Sequence, residues 1–295
     1  MLNINEHISI QKMQSPLFNG INVHVLRLDE IHAIVSGNKW FKLQYYLKQA
    51  LEKNYTTVAT FGGAYSNHIV ATAFASAAFG LKSIGIIRGE APKIFSATLN
   101  AAKAFGMELH FVSRTEFENK EHIQQTFNQN YYWINEGGYG IIGMQGASDI
   151  LKNYATQNFT HIVSSCGTGT MLAGLINAAL PHQQIVGICA LKGYENIEND
   201  IRKILPMAKQ EFPFTIFHNY HFGGYAKHPK ELIEWMNTLW KQEAVPSDIV
   251  YTSKLFYAVH DLCCTNYFST NDTVLIIHSG GLQGNLSLPI NTLSF

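Results

Sequence analysis

The sequence predicts an α/β protein made of two three-layer α/β domains with mostly parallel sheets. Three observations predict this class: apolar strand segments recur along the chain, each runs into a glycine-containing loop, and the first two loops lead into helices of apolar residues. Strands that are apolar throughout are typical of parallel sheets covered on both faces. Parallel neighbours need a helical crossover, so each repeat is expected to form a βαβ unit.

The first unit occupies residues 57–87. A predicted strand at 57–61 runs into the loop Gly-Gly-Ala-Tyr-Ser-Asn at 62–67, and a helix of small apolar residues at 69–79 leads to a second strand at 83–87. Ligands of such sheets bind outside the carboxyl ends of the strands, where the loops enter the helices. The loop is therefore in the right place to form part of a binding site.

The second unit occupies residues 161–189. Its strands lie at 161–165 and 185–189, and the loop Cys-Gly-Thr-Gly-Thr at 166–170 opens a helix at about 171–180. The two units lie far apart in the chain, which indicates two α/β layers and not one long sheet.

A third apolar strand, at 276–277, runs into a glycine pair at 280–281. Its loop is expected to share one site with the first two loops, because all three follow strands. Five glycines between residues 137 and 146 mark the predicted boundary between the two layers.

Composition excludes several classes of function. The 295 residues carry 21 basic and 21 acidic side chains, and only 14% of them are charged, which argues against nucleic acid as a partner. Residues 1–7 lack the pattern of a signal peptide, and the longest apolar stretch, 69–81, is too short to span a bilayer. We therefore expect a cytoplasmic protein without a membrane partner. No disulfide framework or metal site is expected from the spacing of Cys166, Cys189, Cys263 and Cys264.

The loop 166–170 has the chemistry of an anion site. Its glycines let the backbone approach an anion, the helix that follows supplies free N–H groups, and Thr168 and Thr170 add hydroxyl donors. A tight turn that needs glycine only for steric reasons remains open. A dinucleotide site fits less well, because the spacing is not G-x-G-x-x-G and Lys192 follows the next strand where an acid would be expected. A single phosphate monoester fits better.

Two further segments carry candidate residues. Lys39 follows a Gly-Asn turn, and a lysine held in an apolar pocket can become an amine nucleophile. The alternative is a solvated surface cation, as for most of the 17 lysines. Ser66, Asn67 and His68 begin the first unit's helix. Ser66 and Asn67 could cap it or point into the cleft and bind a carboxylate or a ring oxygen, whereas His68 by itself is more often structural than catalytic.

Together these motifs resemble the family of 1-aminocyclopropane-1-carboxylate (ACC) deaminase and D-cysteine desulfhydrase. These are pyridoxal-phosphate enzymes of the tryptophan-synthase-β-like fold, fold type II. Two later segments extend the resemblance, because 251–254 is similar to the family's Tyr-x-Gly-Lys and 278–281 to its His-Thr-Gly-Gly. The matching segments follow the family's order over nearly the whole chain, at 37–39, 62–68, 166–170, 251–254 and 278–281.

The resemblance implies a role for each matching position. Lys39 is similar to the lysine that holds pyridoxal 5'-phosphate as a Schiff base and later shuttles the Cα proton. Asn67 is similar to the residue that binds the ring hydroxyl, and Ser66 to the residue that grips the substrate carboxylate or assists proton transfer. Residues 167–170 resemble the phosphate cup, and Tyr251 an active-site tyrosine. The resemblance adds further cofactor- and substrate-binding candidates: Cys166, Thr252 and Ser279 for the cofactor, Tyr65 and His68 for the substrate.

It also implies a large cofactor-binding domain at 1–40 and 146–295, a smaller domain at 41–145, an active site in the cleft between them, and a homodimer. Four positions depart from the family's pattern. Thr170 and Met171 replace a glycine and a threonine of the phosphate loop, Phe41 stands where a basic residue is common, and Ser253 replaces a glycine.

Positions 252 and 279 distinguish the members of the family. In its true deaminases they hold a glutamate and a leucine, and an acid at the pyridine nitrogen would strengthen the electron sink that ring opening needs. Thr252 and Ser279 resemble the desulfhydrase pattern instead. We therefore expect α,β-elimination of D-cysteine or a related D-amino acid to pyruvate, ammonia and sulfide. The alternatives are ACC deamination to 2-oxobutanoate and ammonia, a non-catalytic pyridoxal-phosphate-binding protein, and a nicotinamide oxidoreductase.

Overall fold

Two sheets organise the chain in the computed structural model, which describes residues 4–5, 7–127 and 130–295. The expectation that no signal peptide is present rests on residues 1–7, of which 1–3 and 6 lie outside this description. The strands run as β1 Ile10–Lys12, β2 Asn22–Leu26, β3 Thr57–Gly62, β4 Lys82–Arg88, β5 Glu108–Val112, β6 Tyr132–Ile134, β7 His161–Cys166, β8 Gln184–Cys189, β9 Phe214–Phe217 and β10 Thr273–Ile277.

The helices alternate with the strands, as the predicted βαβ repeats require. They run as α1 Asn38–Glu52, α2 Asn67–Ala78, α3 Ala97–Ala104, α4 Arg114–Glu118, α5 Lys120–Thr126, α6 Ile141–Lys152, α7 Thr170–Ala178, α8 Ile197–Ile204, α9 Lys230–Glu243 and α10 Thr252–Cys264. No helix within the described ranges is both long enough and apolar enough to cross a lipid bilayer.

The larger sheet has six strands in the order β1-β2-β10-β7-β8-β9. Only β1 runs antiparallel to its neighbour, and the register pairs Cys166 with Cys189 at the carboxyl ends of β7 and β8. The central strands β7 and β10 are buried almost throughout, which matches their continuous apolar sequences. The smaller sheet has the order β5-β4-β3-β6, and all of its strands are parallel.

The helices α1, α6 and α7 pack closely against one another through small residues. A Cβ at Gly146 would collide with the carbonyl of Phe41 on α1, and a Cβ at Gly174 would lie 2.5 Å from the Cβ of Ala147. Both glycines are therefore needed for the helices to approach each other. Gly146 lies inside α6, so this end of the glycine-rich boundary segment is helical and allows α6 to pack against α1.

The structure confirms the predicted fold class, an α/β protein of fold type II with mostly parallel sheets. Both predicted units form, the first as β3-α2-β4 and the second as β7-α7-β8. Residues 57–134 supply the smaller sheet, and residues 10–26 and 161–277 supply the larger one. This partition parallels the domain division expected at 1–40, 41–145 and 146–295, which stays a prediction.

Candidate active site

A cavity of about 460 Å³ opens at the carboxyl ends of strands from both sheets. Most of the residues predicted from the sequence line it: Lys39, Ser66, Asn67, His68, Cys166, Gly167, Thr168, Gly169, Thr170, Tyr251 and Ser279. The three glycine loops that were expected to share one site therefore do so. The structure does not bring two of the predicted residues into the lining: Tyr65 has 59% of its surface exposed, and Thr252 is fully buried.

The loop between β7 and α7 forms one wall of the cavity. Gly169 adopts φ +78°, a left-handed conformation that favours glycine, and α7 begins at the next residue. The free N–H groups and the dipole of α7 therefore face the cavity. The hydroxyls of Thr168 and Thr170 lie 3.2 Å apart, and burial raises the pKa of the Cys166 thiol, so the thiol is neutral. The wall can hold a phosphate group.

Lys39 enters the cavity from the first turn of α1. The turn before it rests on the third glycine loop, because the N–H of Asn38 donates to the carbonyl of Ser279 at 3.3 Å. A Cβ at Gly37 would collide with that same carbonyl, so this approach requires glycine. Nζ of Lys39 donates to Oδ1 of Asn38 at 2.8 Å. Burial lowers the pKa of Lys39 to about 8, against the opposing charge of Asp248, so a fraction of the amine is neutral near pH 7.

Lys42 is a second cavity lysine, which the sequence interpretation missed. It lies one helical turn after Lys39, only 3% of its surface is exposed, and its Nζ donates to the carbonyl of Gly137 at 3.2 Å. Burial and the nearby Lys39 lower its pKa well below the usual value. A bound anion would offset the free-energy cost of burying the charged form of Lys42. The i, i+3 spacing from Lys39 was the available signal, because residues three apart share a helix face.

Ser66 and Asn67 begin α2 at the cavity wall. Oγ of Ser66 accepts from the N–H of Ile69 at 3.4 Å, so this residue caps the helix and lines the cavity at once. Nδ2 of Asn67 donates to the carbonyl of Gly281 at 3.0 Å, and its Oδ1 is buried with no hydrogen-bond partner among the described residues. A buried acceptor of this kind needs a donor from a ligand or from water.

His68 has a tautomer that its neighbours determine. Oγ1 of Thr60 donates to the carbonyl of Ile134 at 2.8 Å, so it must accept from Nε2–H of His68 at 2.9 Å. Nδ1 therefore carries a lone pair, and it is buried without a partner in the described part of the chain. Burial and the two nearby lysines lower the pKa of His68 well below its usual value, which keeps the ring neutral.

Two tyrosines close the far side of the cavity. A Cβ at Gly167 would lie 3.1 Å from the hydroxyl of Tyr251, so the ring of Tyr251 packs directly on the loop 166–170. The ring of Tyr225 packs against that of Tyr251 with centroids 6.2 Å apart. Burial raises the pKa of Tyr251 well above its usual value, so its hydroxyl stays protonated. The sequence does not predict Tyr225 for the site, because no role could be assigned to the segment around it.

Ser279 and Thr252 differ in where their hydroxyls point. Oγ of Ser279 lies 3.4 Å from Oγ of Ser165, and both residues line the cavity. The hydroxyl of Thr252 donates to Oδ1 of Asp248 at 2.7 Å, outside the lining. Among the described lining residues Glu136 is the one carboxylate, and it forms a 2.8 Å ion pair with Lys120. This wall is therefore made of neutral hydroxyls.

Comparison with known proteins identifies the family of this chain. The family model described as pyridoxal-phosphate dependent enzyme matches residues 14–280, which include all of the cavity's motifs except the last residue of 278–281. The chain belongs to this family. It is therefore an enzyme, and its cofactor is pyridoxal phosphate. The dinucleotide considered from the sequence is not the cofactor.

Individual relatives and one solved structure show which members of the family this chain resembles. A Thermotoga maritima protein provisionally named as an ACC deaminase is 30% identical and covers 90% of both chains. The mitochondrial bifunctional D-cysteine desulfhydrase/ACC deaminase of Arabidopsis thaliana is 26% identical over 90% of this chain and 74% of its own. The solved structure of an ACC deaminase homologue has a TM-score of 0.83 and 28% identity, and covers 97% of this chain and 92% of that one. The expected resemblance to this family is confirmed.

The residues of this pyridoxal-phosphate enzyme fit its cofactor. The loop at the start of α7 can bind the phosphate through backbone N–H groups, with the buried ammonium of Lys42 beside it. Lys39 provides an amine for the aldehyde, and the orphaned Oδ1 of Asn67 can accept a hydrogen bond from the ring hydroxyl. One such ligand would place an anionic group beside Lys42, whose amine donates to the carbonyl of Gly137, and would supply a donor to the unpaired Oδ1 of Asn67.

Proposed function

We propose that the enzyme eliminates the β-substituent of D-cysteine or a related D-amino acid. The overall reaction consumes D-cysteine and one water and yields pyruvate, ammonia and hydrogen sulfide. The Cα–H and Cβ–S bonds break, and the resulting enamine is hydrolysed by the water. The proposal rests on one observation above all, the pair of neutral hydroxyls of Ser165 and Ser279 in a wall without an unpaired carboxylate.

Pyridoxal phosphate, when bound, supplies an aldehyde that joins the substrate amine and a ring that stabilises negative charge at Cα. We assign removal of the Cα proton to Lys39, because it lines the cavity and its lowered pKa leaves neutral amine available near pH 7. Ser66 and the N-terminus of α2 can bind the substrate carboxylate. The protonated hydroxyl of Tyr251 can donate to the departing thiolate.

The hydroxyl wall matters because the two candidate reactions place different demands on the ring. A thiolate is a good leaving group, since a thiol has a pKa near 8.5, and its departure needs only a modest electron sink. Opening a cyclopropane ring breaks a carbon–carbon bond and starts from a Cα without hydrogen, so it needs a stronger sink. A neutral hydroxyl beside the pyridine nitrogen would not hold that nitrogen protonated as a carboxylate would. Ser279, if it faces the nitrogen, therefore favours the elimination.

ACC deamination to 2-oxobutanoate and ammonia is the second candidate. It is favoured by the relatives, because the Thermotoga maritima protein and the solved homologue both carry that name. The Arabidopsis thaliana relative carries both names. The cavity of about 460 Å³ has room for either amino acid, so its size does not distinguish the two substrates.

Turnover of three amino acids tests the proposal. Purified holoenzyme would be incubated separately with D-cysteine, L-cysteine and ACC, and sulfide, pyruvate and 2-oxobutanoate would be measured. We expect sulfide and pyruvate in equal amounts from D-cysteine. We expect at least about tenfold less of both from L-cysteine, a ratio that corresponds to about 1.4 kcal/mol of discrimination between the two enantiomers. Release of 2-oxobutanoate from ACC without sulfide from D-cysteine would replace the proposal with the second candidate.

A further inference from the structure

The segment 221–227, which we call the strap, crosses the cavity at Tyr225. Its backbone is unusual, because Phe222, Gly223, Gly224 and Ala226 all have positive φ, at 50°, 90°, 125° and 55°. For the two non-glycine residues this conformation costs free energy, on the order of 1–2 kcal/mol each. Such a conformation persists only where surrounding contacts enforce it, and it is common at functional sites.

Lys254 supplies the strongest of these contacts. It lies on α10 with none of its surface exposed, and its Nζ donates to the carbonyl of Gly224 at 2.7 Å and to that of Ala190 at 3.4 Å. Ala190 directly follows β8, so one ammonium ties the strap to the carboxyl end of the larger sheet. The carbonyl of Gly224 also accepts from the N–H of Lys227 at 3.2 Å, and it therefore organises the strap's own turn.

The other anchors of the strap are aromatic. Phe222 packs edge-to-face on Tyr257 of α10 with centroids 4.9 Å apart, and Tyr225 packs on Tyr251 at 6.2 Å. Tyr225 has half of its surface exposed and lines the cavity. Gly224, the residue before Tyr225, accepts the hydrogen bond from Lys254. That hydrogen bond constrains the backbone from which the ring of Tyr225 projects to line the cavity.

We propose that Lys254 is a positioning residue that clips the strap closed, so that Tyr225 forms the substrate-facing wall beside Tyr251. The inference rests on the proposed function only in taking this cavity as the substrate site. Lys254 itself does not line the cavity and touches no reacting atom. It acts through Gly224.

The hydrogen bond from Lys254 to Gly224, which we call the clip, is expected to depend on pH because its donor is a titratable amine. Burial lowers the pKa of Lys254 to about 8, while the charge of Asp248, from the turn before α10, and to a lesser degree the thiol of Cys189, at the end of β8, oppose the shift. Below that pH the ammonium makes charge-assisted hydrogen bonds, which are roughly twice as strong as those of a neutral amine. The clip is therefore expected to loosen as the pH rises through about 8.

Hydrogen exchange of the holoenzyme without substrate tests the clip directly. In Lys254→Met, which keeps the apolar stem and removes the ammonium, we expect the peptides covering 221–227 to exchange about tenfold faster or more. Peptides elsewhere and the cofactor's visible absorbance should stay as in the wild type. The matched control is Lys227→Met, because Lys227 is an exposed lysine of the same strap. Unchanged exchange in 221–227, or an equal rise throughout the protein, would overturn the inference.

A double-mutant cycle adds a kinetic readout. If Lys254 acts through Tyr225, then Lys254→Met and Tyr225→Ala should each raise KM several-fold, and the double variant should be no worse than Tyr225→Ala alone. Additive effects would contradict the clip. If no tested amino acid is turned over, the proposed function fails while the exchange result still decides the inference. If Lys254→Met does not fold, wild-type exchange at pH 7 and pH 9, corrected for intrinsic rates, replaces it. Protection lost at pH 9 only in 221–227 supports the clip, and unchanged protection rejects it.

Discussion

The hydroxyl of Thr252 donates to Oδ1 of Asp248 at 2.7 Å, and the N–H of Thr252 donates to the same oxygen at 2.8 Å. The other carboxylate oxygen accepts from the N–H groups of Val250 and Tyr251 at 2.8 and 3.0 Å. Asp248 is completely buried, so these four hydrogen bonds compensate its desolvation. The same hydrogen bonds hold the turn from which Tyr251 reaches the loop 166–170. Position 252 therefore belongs to the support of the cavity wall in this enzyme.

Thr252→Glu should destabilise the protein without creating an ACC deaminase. The substitution removes a hydroxyl donor from buried Asp248 and places a second carboxylate beside it. We expect a loss of about 3 kcal/mol or more, as when a buried charge loses its partner. Urea unfolding measures this, and Thr252→Ser, which keeps the hydroxyl, should cost less than about 1 kcal/mol. A stable Thr252→Glu variant that released 2-oxobutanoate from ACC would show that position 252 reaches the cofactor.

Lys39 and Lys42 should separate into covalent and ionic roles. Borohydride reduction followed by peptide mapping should label Lys39 in the wild type and in Lys42→Met. Lys39→Ala should lose the label and about 10³-fold or more of the activity, since it lacks the nucleophile and base. Lys42→Met should keep the label and bind the cofactor about 10- to 100-fold more weakly, as for the loss of a charged hydrogen bond. A label found at Lys42 would reverse the assignment.

The rate of cofactor capture should depend on pH with a midpoint near 8. Only the neutral amine attacks the aldehyde, and burial lowers the pKa of Lys39 to about 8, so about a tenth of it is neutral at pH 7. The capture rate of the apoprotein should therefore rise about tenfold per pH unit below 8 and level off above it. Stopped-flow absorbance measures the rate. A rate that still rises steeply between pH 9 and pH 10 would indicate a lysine with an ordinary pKa.

Gly169→Ala should weaken cofactor binding and stability together. Its φ of +78° disfavours a side chain, and a Cβ there would lie 2.7 Å from Cγ1 of Ile201. Gly193 has a similar φ of +72° and open space, so Gly193→Ala isolates the backbone cost, about 1 kcal/mol. We expect Gly169→Ala to cost about 1–3 kcal/mol more and to raise the Kd for pyridoxal phosphate. Thermal unfolding and a cofactor titration measure the two effects. Equal behaviour of both variants would exclude the contact with Ile201 as the cause.

The sequence alone was sufficient for the fold class, and most of the site residues predicted from it line the cavity. Apolar strands, glycine turns and helix starts depend on interactions within a few residues, so β3-α2-β4 and β7-α7-β8 could be predicted close to their observed bounds. The loop that begins α7 was also predictable, since an N–H-rich turn after a strand has the same chemistry in any context. Lys39 was singled out because it follows a Gly-Asn turn, and Gly37 proves necessary for the close contact with Ser279.

Only the tertiary structure showed which of two residues adjacent in sequence lines the cavity and which supports its wall. Tyr251 lines the cavity and Thr252 supports it, although nothing local distinguishes the direction of the two side chains. Lys42 looks like an ordinary surface lysine in the sequence, and Lys254 has no assigned role although it ends the segment similar to Tyr-x-Gly-Lys, yet both are buried. Their partners, Gly137 and Gly224, lie 95 and 30 residues away in the chain. Such contacts arise from the packing of distant elements, and the cost of burying a charge is determined only when that packing is complete.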